Sequence, residues 1–106
     1  MRRPVWFALS LLLAGPLPAA DGLGEQREQE LRNLLVQECG SCHGLTLQGG
    51  LGPSLSAQRL TGRSPEDLSA VILHGRPGSA MPPWDALLTA AEARWIAERL
   101  LQGEPR

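Results

Sequence analysis

The sequence predicts an all-α domain of three main helices, because apolar residues recur at helical spacing in three segments and no segment alternates as a half-buried strand does. Stretches rich in glycine and proline separate the three segments and interrupt regular structure. With 106 residues, the chain has room for one small hydrophobic core. A domain of this size usually depends on an additional link such as a metal, a disulfide or a cofactor.

The first predicted helix runs from Glu25 to about Cys39. Its leucines between residues 31 and 35 form a narrow apolar stripe on an otherwise charged segment. Acidic residues crowd the first turn, where the positive end of the helix dipole favours them. The many glycines of residues 40–64 predict a long loop, and such a loop in a small domain usually has a function or packs on another element.

Two further helices carry start signals in the sequence. A capping box, in which two residues satisfy each other's free backbone N–H groups, is predicted for Ser64 with Asp67 and for Thr89 with Glu92. Glycines that follow the apolar patterns predict where both helices end. The expected ends are Gly75 and Gly103, and the expected buried residues are Leu68, Val71 and Ile72 in the second helix and Leu88, Ala91, Trp95, Ile96 and Leu100 in the third.

The first twenty residues have the layout of a secretory signal peptide: two arginines, an apolar run, and small residues before a cleavage site. We therefore expect residues 1–20 to be a cleaved signal peptide and residues 21–106 to be the mature domain. The apolar run of residues 5–14 is well short of the roughly 20 residues that span a bilayer, so no stable membrane span is expected after cleavage. An uncleaved anchor formed by residues 6–17 is the alternative.

Removal of residues 1–20 leaves eight arginines and eleven acidic residues, a formal charge of −3, and the chain has no lysine. Nucleic-acid binding depends on clustered positive charge, so this balance argues against a nucleic-acid partner. The sequence shows no catalytic triad and no paired-carboxylate site, and the glycines of residues 49–50 lack the lysine and the strand of a phosphate loop. We therefore expect no independent enzymatic activity.

Both cysteines lie in the string Cys-Gly-Ser-Cys-His of residues 39–43, the C-x-x-C-H pattern of covalent haem c attachment. Two thiols at this spacing near a helix end can reach the two vinyl groups on one edge of the porphyrin. The next residue is then delivered to the iron as its proximal ligand. We therefore predict one haem c per chain, attached to Cys39 and Cys42, with its iron bound by His43.

Three other interpretations of the motif stay open at this point. A thioredoxin-like dithiol needs a βαβ context. A zinc site would need His74 as a fourth ligand beside the two cysteines and His43. A structural disulfide would close so small a loop that it would stabilise little.

Met81 is the only methionine outside the predicted signal peptide, and it lies in a segment too rich in proline and glycine for a helix. We predict that this segment presents Met81 as the sixth iron ligand, because His/Met ligation raises the reduction potential and suits an electron carrier. Filling a gap in the core is the alternative role for Met81. His74, at the predicted end of the second helix, is the rival ligand, although contact with the last helix carbonyls or with a haem propionate is expected instead.

The string Gly-Pro-Ser-Leu of residues 52–55 lies between the two predicted ligands. A proximal histidine needs its second ring nitrogen held, and the carbonyl oxygen of Pro53 is the predicted acceptor from His43, with a simple turn as the alternative. Leu55 and Trp84 are expected around the haem. The other residues expected to wall the porphyrin are Leu51, Leu60, Leu68, Val71 and Ile72.

Residues 25–103 contain, in order, an N-terminal helix, C-x-x-C-H, Gly-Pro-x-Leu, a middle helix, a methionine loop and a C-terminal helix. This order resembles the class I cytochromes c. The strings of residues 38–53 and 72–84 are further similar to cytochrome c-55X, the NirC-type cytochromes associated with the haem-d-containing nitrite reductase. The resemblance implies the class I cytochrome c fold, three main helices around one covalently bound haem, with His43 and Met81 as axial ligands.

The resemblance also implies a periplasmic protein that carries single electrons in denitrification, with nitrite reductase or its assembly factors as redox partners. An accessory role in assembly or d-type haem biogenesis of the reductase is the alternative. The residues alone leave two further functions open. One is a haem protein whose open sixth iron site binds a small ligand, and the other is a structural subunit of a reductase. Arg59, Arg63 and Arg76 flank the predicted ligand loops, either to steer an acidic partner or as ordinary surface residues.

Overall fold

The computed structural model describes residues 4–5, 14–15 and 22–105, so the predicted signal peptide lies largely outside the described residues and stays a prediction. Every regular element in the described part is helical, which confirms the all-α prediction. No helix there is long and apolar enough to cross a membrane. The elements are α1 (Glu25–Leu34), a π-helical turn (Leu35–Cys39), α2 (Gly40–His43), α3 (Pro65–His74) and α4 (Ala90–Leu101).

The first helix is longer than the sequence predicts. α1, the π-helical turn and α2 follow one another without a break, because Leu35, Cys39 and Gly40 all keep helical backbone angles. The prediction of a loop from residue 40 onward was therefore wrong for residues 40–43. Gly40 is buried and helical, and a Cβ there would make only ordinary contact, at 3.4 Å, with the Cα of Leu45, so this glycine does not mark a turn.

Both later helices begin where the sequence predicts. The Ser64 hydroxyl accepts a hydrogen bond from the Asp67 N–H at 3.1 Å, which is the N-cap half of the predicted box. At α4 the box is complete: Thr89 Oγ1 accepts from the Glu92 N–H at 3.1 Å, and Glu92 Oε1 accepts from the Thr89 N–H at 3.2 Å. As expected, glycines follow both helices: α3 ends at His74, directly before Gly75, and α4 ends at Leu101, two residues before Gly103.

A single cluster of buried residues joins the helices, and α4 packs against both α1 and α3. Trp95 belongs to this cluster, as predicted, but Ala91 is exposed, so its expected burial was wrong. Ala93 and Ala97 are buried instead, because each lies three residues before a buried residue, Ile96 or Leu100, on the same helix face. The cluster consists of Leu31, Leu35, Leu47, Leu60, Leu68, Ile72, Leu88, Ala93, Trp95, Ile96, Ala97 and Leu100.

Glu92 links the two terminal helices. One of its carboxylate oxygens completes the capping box, and the other accepts a hydrogen bond from the Arg27 guanidinium on α1. The side chain is buried, and burial alone would raise the pKa of this carboxyl. Hydrogen bonds from Thr89 and Arg27 outweigh that effect and hold the pKa of Glu92 below its ordinary value of 4.5.

We expect Glu92→Ala to lower the free energy of unfolding by about 1–2 kcal/mol at neutral pH, because the capping box and the link to α1 are both lost. Since folding lowers the pKa of Glu92, its ionised form stabilises the protein above the ordinary value of 4.5 and ceases to do so as the pH falls through the folded-state value. Denaturant unfolding at neutral pH and at about pH 3 measures both effects, and the difference between parent and variant should shrink in acid.

Glu98→Ala is the matched control, because it removes an exposed ion pair with Arg94 from the same helix. It should change the free energy of unfolding by less than about 0.5 kcal/mol. An equal loss in the two variants, or a Glu92→Ala effect that does not depend on pH, would contradict the role of Glu92.

Candidate functional site

His43 is the last residue of α2, and its ring is held by the Gly-Pro turn as predicted. Its Nδ1 lies 2.7 Å from the carbonyl oxygen of Pro53. A carbonyl oxygen can only accept a hydrogen bond, so Nδ1 carries the proton and donates it. The neutral ring then has its lone pair on Nε2, the atom that remains free to bind a metal.

Residues 44–55 fold back onto the C-terminal end of this helix. The N–H of Gly52 donates to the carbonyl oxygen of Cys42 at 2.7 Å, and the N–H of Gly49 donates to that of His43 at 2.8 Å. These bonds satisfy carbonyl groups that a helix end leaves unpaired. The long glycine-rich loop therefore packs on the motif, and this packing brings the Gly-Pro turn beside the imidazole.

Gly52 allows the turn to approach the ring this closely. A Cβ on Gly52 would lie 2.9 Å from both Cε1 and Nδ1 of His43, whereas ordinary contact begins at 3.4 Å. Any residue with a side chain would therefore displace the ring and its hydrogen bond. The Gly-Pro turn is predictable from the sequence, whereas this steric role of Gly52 was missed. Its signal is the glycine immediately before the proline.

The two cysteines are free thiols one helical turn apart. Cys42 is exposed, and Cys39 is partly buried against the core cluster. Burial, together with the nearby Glu38 and Cys42, raises the pKa of Cys39 to about 11, although a backbone hydrogen bond opposes this shift. The thiol is therefore protonated at neutral pH, unlike the thiolate of a redox-active dithiol.

The described part of the chain does not support the other interpretations of the motif. A thioredoxin-like dithiol needs strands, and residues 22–105 contain none. The two thiols are not joined in a disulfide. Among the described residues, no three or more His, Cys, Asp and Glu side chains lie close enough to hold a metal ion. His74 accordingly does not join the motif as a zinc ligand.

Met81 lies in the connection between α3 and α4. Its carbonyl oxygen accepts from the N–H of Arg76 at 3.2 Å, and its own N–H donates to the hydroxyl of Ser79 at 3.3 Å. The N–H of Trp84 donates to two carbonyl oxygens in the last turn of α3, both at 3.1 Å. The backbone that carries Met81 is therefore fixed to the end of α3, and Met81 itself is partly buried.

The predicted surroundings of the haem fall into two groups. Leu55 and Trp84 are partly buried and pack against the core cluster. Leu51 is 97% exposed, so its predicted place in an apolar wall is not seen. Glycines on both sides of Leu51 lie against the helix end, which leaves its side chain in solvent. Of the remaining wall residues, Leu60, Leu68 and Ile72 are buried and Val71 is partly buried.

A family model described as "Cytochrome C oxidase, cbb3-type, subunit III" matches residues 26–98. The solved structure of a c-type cytochrome, NirC, is similar with a TM-score of 0.75 and 51% sequence identity, covering 77% of this chain and 96% of that one. The helical fold and the motif together define a class I cytochrome c, a protein with one covalently bound haem c and its iron.

Cytochrome c55X of Pseudomonas aeruginosa is 49% identical over 102 residues, which cover 94% of this chain and 86% of that relative. The chain belongs to the cytochrome c55X family. It is also similar to part of a dihydro-heme d1 dehydrogenase of the same organism, at 36% identity over 104 residues that cover 98% of this chain and 20% of the enzyme.

The residues of the motif fit a covalently bound haem. Such a group needs two reduced thiols one helical turn apart, and Cys39 and Cys42 meet this condition. It also needs an imidazole with a free nitrogen, and the hydrogen bond to Pro53 leaves Nε2 of His43 free. Gly52 provides the space in which that ring is held.

Proposed function

We propose that this chain is an exported, periplasmic electron carrier, with haem c attached to Cys39 and Cys42 and its iron bound by His43 and Met81. The hydrogen bond from His43 to Pro53 carries the proposal, because it fixes the tautomer in which Nε2 is free. The haem, when bound, supplies a one-electron Fe(III)/Fe(II) couple. No substrate has to be bound or transformed for this function.

Each residue of the site has a defined task in this proposal. The carbonyl of Pro53 orients the His43 ring through the hydrogen bond to Nδ1 and so fixes its tautomer. Met81 offers a neutral thioether, which raises the reduction potential relative to a second nitrogen ligand. Leu55 and Trp84, packed on the core, exclude water from the cofactor's surroundings.

Export is supported by the layout of residues 1–20 and by the family, whose cofactor is a covalently bound haem. Two arginines, a short apolar run and small residues precede the domain. The proposal therefore assigns residues 1–20 to a cleaved signal peptide and residues 21–106 to the cytochrome c domain.

The surface charge favours a partner with acidic residues. Residues 39–65, which include the motif, contain Arg59 and Arg63 but no acidic residue, although the whole chain has a net charge of −1. Both arginines and Arg76 are exposed, and none of them forms an ion pair within the described residues. Leu45 and Leu51 are also exposed on the loop that covers the helix end. An apolar contact rimmed by carboxylates on a nitrite reductase would match these exposed leucines and arginines.

The similarity to one fifth of a dihydro-heme d1 dehydrogenase favours a second candidate function, an accessory role in the biogenesis of d-type haem. Deletion of the gene separates the two. Lost nitrite reductase activity with a normal haem content of the reductase is expected for the electron carrier. A reductase that lacks its d-type haem indicates the accessory role, and unchanged activity and haem content contradict both.

Met81→Ala is expected to abolish the sulfur-to-iron charge-transfer band of the oxidised haem protein, because no other thioether remains in the mature domain. The reduction potential should fall, since the thioether raises it. Carbon monoxide should also bind rapidly to the reduced variant. Near-infrared absorption, redox titration and stopped-flow mixing measure the three effects.

His74→Ala is the control, because His74 is the exposed last residue of α3 and the rival ligand. All three properties should match those of the parent protein. Absence of the band from the parent, or an opened iron site in His74→Ala, would contradict ligation by Met81. Rapid carbon monoxide binding by the parent would favour the alternative with an open sixth site.

Replacing Arg59, Arg63 and Arg76 by glutamine should slow electron transfer to a haem-d-containing nitrite reductase at least about tenfold at low salt, because electrostatic attraction accelerates encounter. Stopped-flow kinetics over a range of salt concentrations measure the effect, and the rate of the variant should depend less on salt than that of the parent.

A control variant with glutamate at the exposed positions Gln26, Gln29 and Gln37 changes the net charge by the same amount on α1 and the π-helical turn. Its rate should stay much closer to that of the parent. Equal slowing in both variants would assign the effect to net charge and contradict a docking surface at these arginines.

A further inference from the structure

The connection that carries Met81 closes over the end of α3, and Gly75 lies at the point of closest approach. Gly75 is buried and has a φ of 68°. A Cβ at this position would lie 2.6 Å from the carbonyl oxygen of Met81 and 2.8 Å from the carbonyl carbon of Pro82 and the nitrogen of Pro83. All three are backbone atoms, so no side-chain rotation could relieve the contact.

An added methyl group would therefore have to move the chain itself. Ordinary contact begins at 3.4 Å, about 0.8 Å beyond the position of the Met81 oxygen. The rings of Pro82 and Pro83 fix φ near −65°, so the backbone after Met81 has little freedom to absorb such a shift. The added methyl group would therefore displace the backbone of Met81.

Hydrogen bonds hold the same contact together. The N–H of Gly75 donates to a carbonyl oxygen of α3 at 2.8 Å, and the next N–H, that of Arg76, donates to the carbonyl oxygen of Met81 at 3.2 Å. The N–H groups of Trp84 and Asp85 donate to the last turn of α3 at 3.1 and 3.2 Å. The connection thus supplies donors to carbonyl groups that a helix end leaves unpaired, and it takes its position from α3.

We propose that Gly75 is a positioning residue for the sixth iron ligand. By admitting the Met81 backbone to the end of α3, it keeps the thioether on the iron and so keeps small ligands off the metal. This inference rests on the proposed ligation by His43 and Met81 and deepens it, because it identifies what in this chain holds the sixth position closed.

A comparison with Gly78 distinguishes the steric contact at Gly75 from the requirement for a positive φ, which both glycines share. Gly78 lies in the same connection and has a φ of 79°, but a Cβ there would meet no atom within 4 Å. Alanine is strained at either position, since both backbones are in the left-handed region. Only at Gly75 would the alanine Cβ also clash with the backbone of Met81.

The test compares Gly75→Ala with Gly78→Ala in the haem-loaded protein. Two quantities are measured: the sulfur-to-iron charge-transfer band of the oxidised state and the affinity of that state for added imidazole. Gly75→Ala should lose most of the band and bind imidazole at least about tenfold more tightly, because a ligand displaced by a fraction of an ångström competes poorly. Gly78→Ala should stay within about twofold of the parent.

A band and an imidazole affinity in Gly75→Ala that match the parent would overturn the proposal. An equal change in Gly78→Ala would overturn it as well, because strain alone would then suffice. If the parent has no band, ligation by Met81 fails and this inference fails with it, whereas a normal parent with an unaffected Gly75→Ala contradicts the inference alone.

If Gly75→Ala does not take up haem, Ser79→Ala decides. This variant removes the hydroxyl that accepts from the Met81 N–H at 3.3 Å and donates to the carbonyl oxygen of Arg76 at 2.7 Å, so it loosens the same segment. It should raise imidazole affinity about threefold, less than the closer contact at Gly75 would. An unchanged affinity in Ser79→Ala would then overturn the proposal.

Discussion

The hydrogen bond from the His43 ring to the carbonyl of Pro53 constrains the rest of the site. Because the carbonyl oxygen, 2.7 Å away, can only accept, the proton lies on Nδ1 and Nε2 is left free. The bond exists only because the loop of residues 44–55 returns to the helix end. That return requires a residue without a side chain at Gly52. The tautomer of His43 therefore depends on the path of the loop of residues 44–55.

Both proposed iron ligands are positioned in the same way, by a loop that forms hydrogen bonds with the end of a helix. Each lies next to a helix C-terminus whose free carbonyl groups accept hydrogen bonds from the following loop: α2 from residues 49 and 52, and α3 from residues 84 and 85. In each case a glycine, Gly52 or Gly75, lets two backbone segments approach more closely than a Cβ would allow. A domain with a small core thus uses helix ends, rather than buried side chains, to fix its functional groups.

Local signals in the sequence were sufficient for the helix starts at Ser64 and Thr89, the helical class, and the acceptor at Pro53. The extension of the first helix through Gly40 was missed, because glycine is a poor helix former and its burial in the folded domain is visible only in coordinates. The steric roles of Gly52 and Gly75 also need coordinates, since a sequence shows that a side chain is absent but not what occupies its place. Which residues attach the haem and bind its iron stays a prediction.

The π-helical turn at Leu35–Cys39 sets the phase of the first helix. Such a turn contains one residue more than an α-helical turn, and each α-helical residue rotates the chain by about 100° around the axis. The two thiols therefore face a direction that counting α-helical turns from the buried Leu31 of α1 would not give. Where the cofactor edge lies relative to the core is encoded in the number of residues between Leu35 and Cys39, so the same five-letter motif after a shorter turn would face another side of the domain.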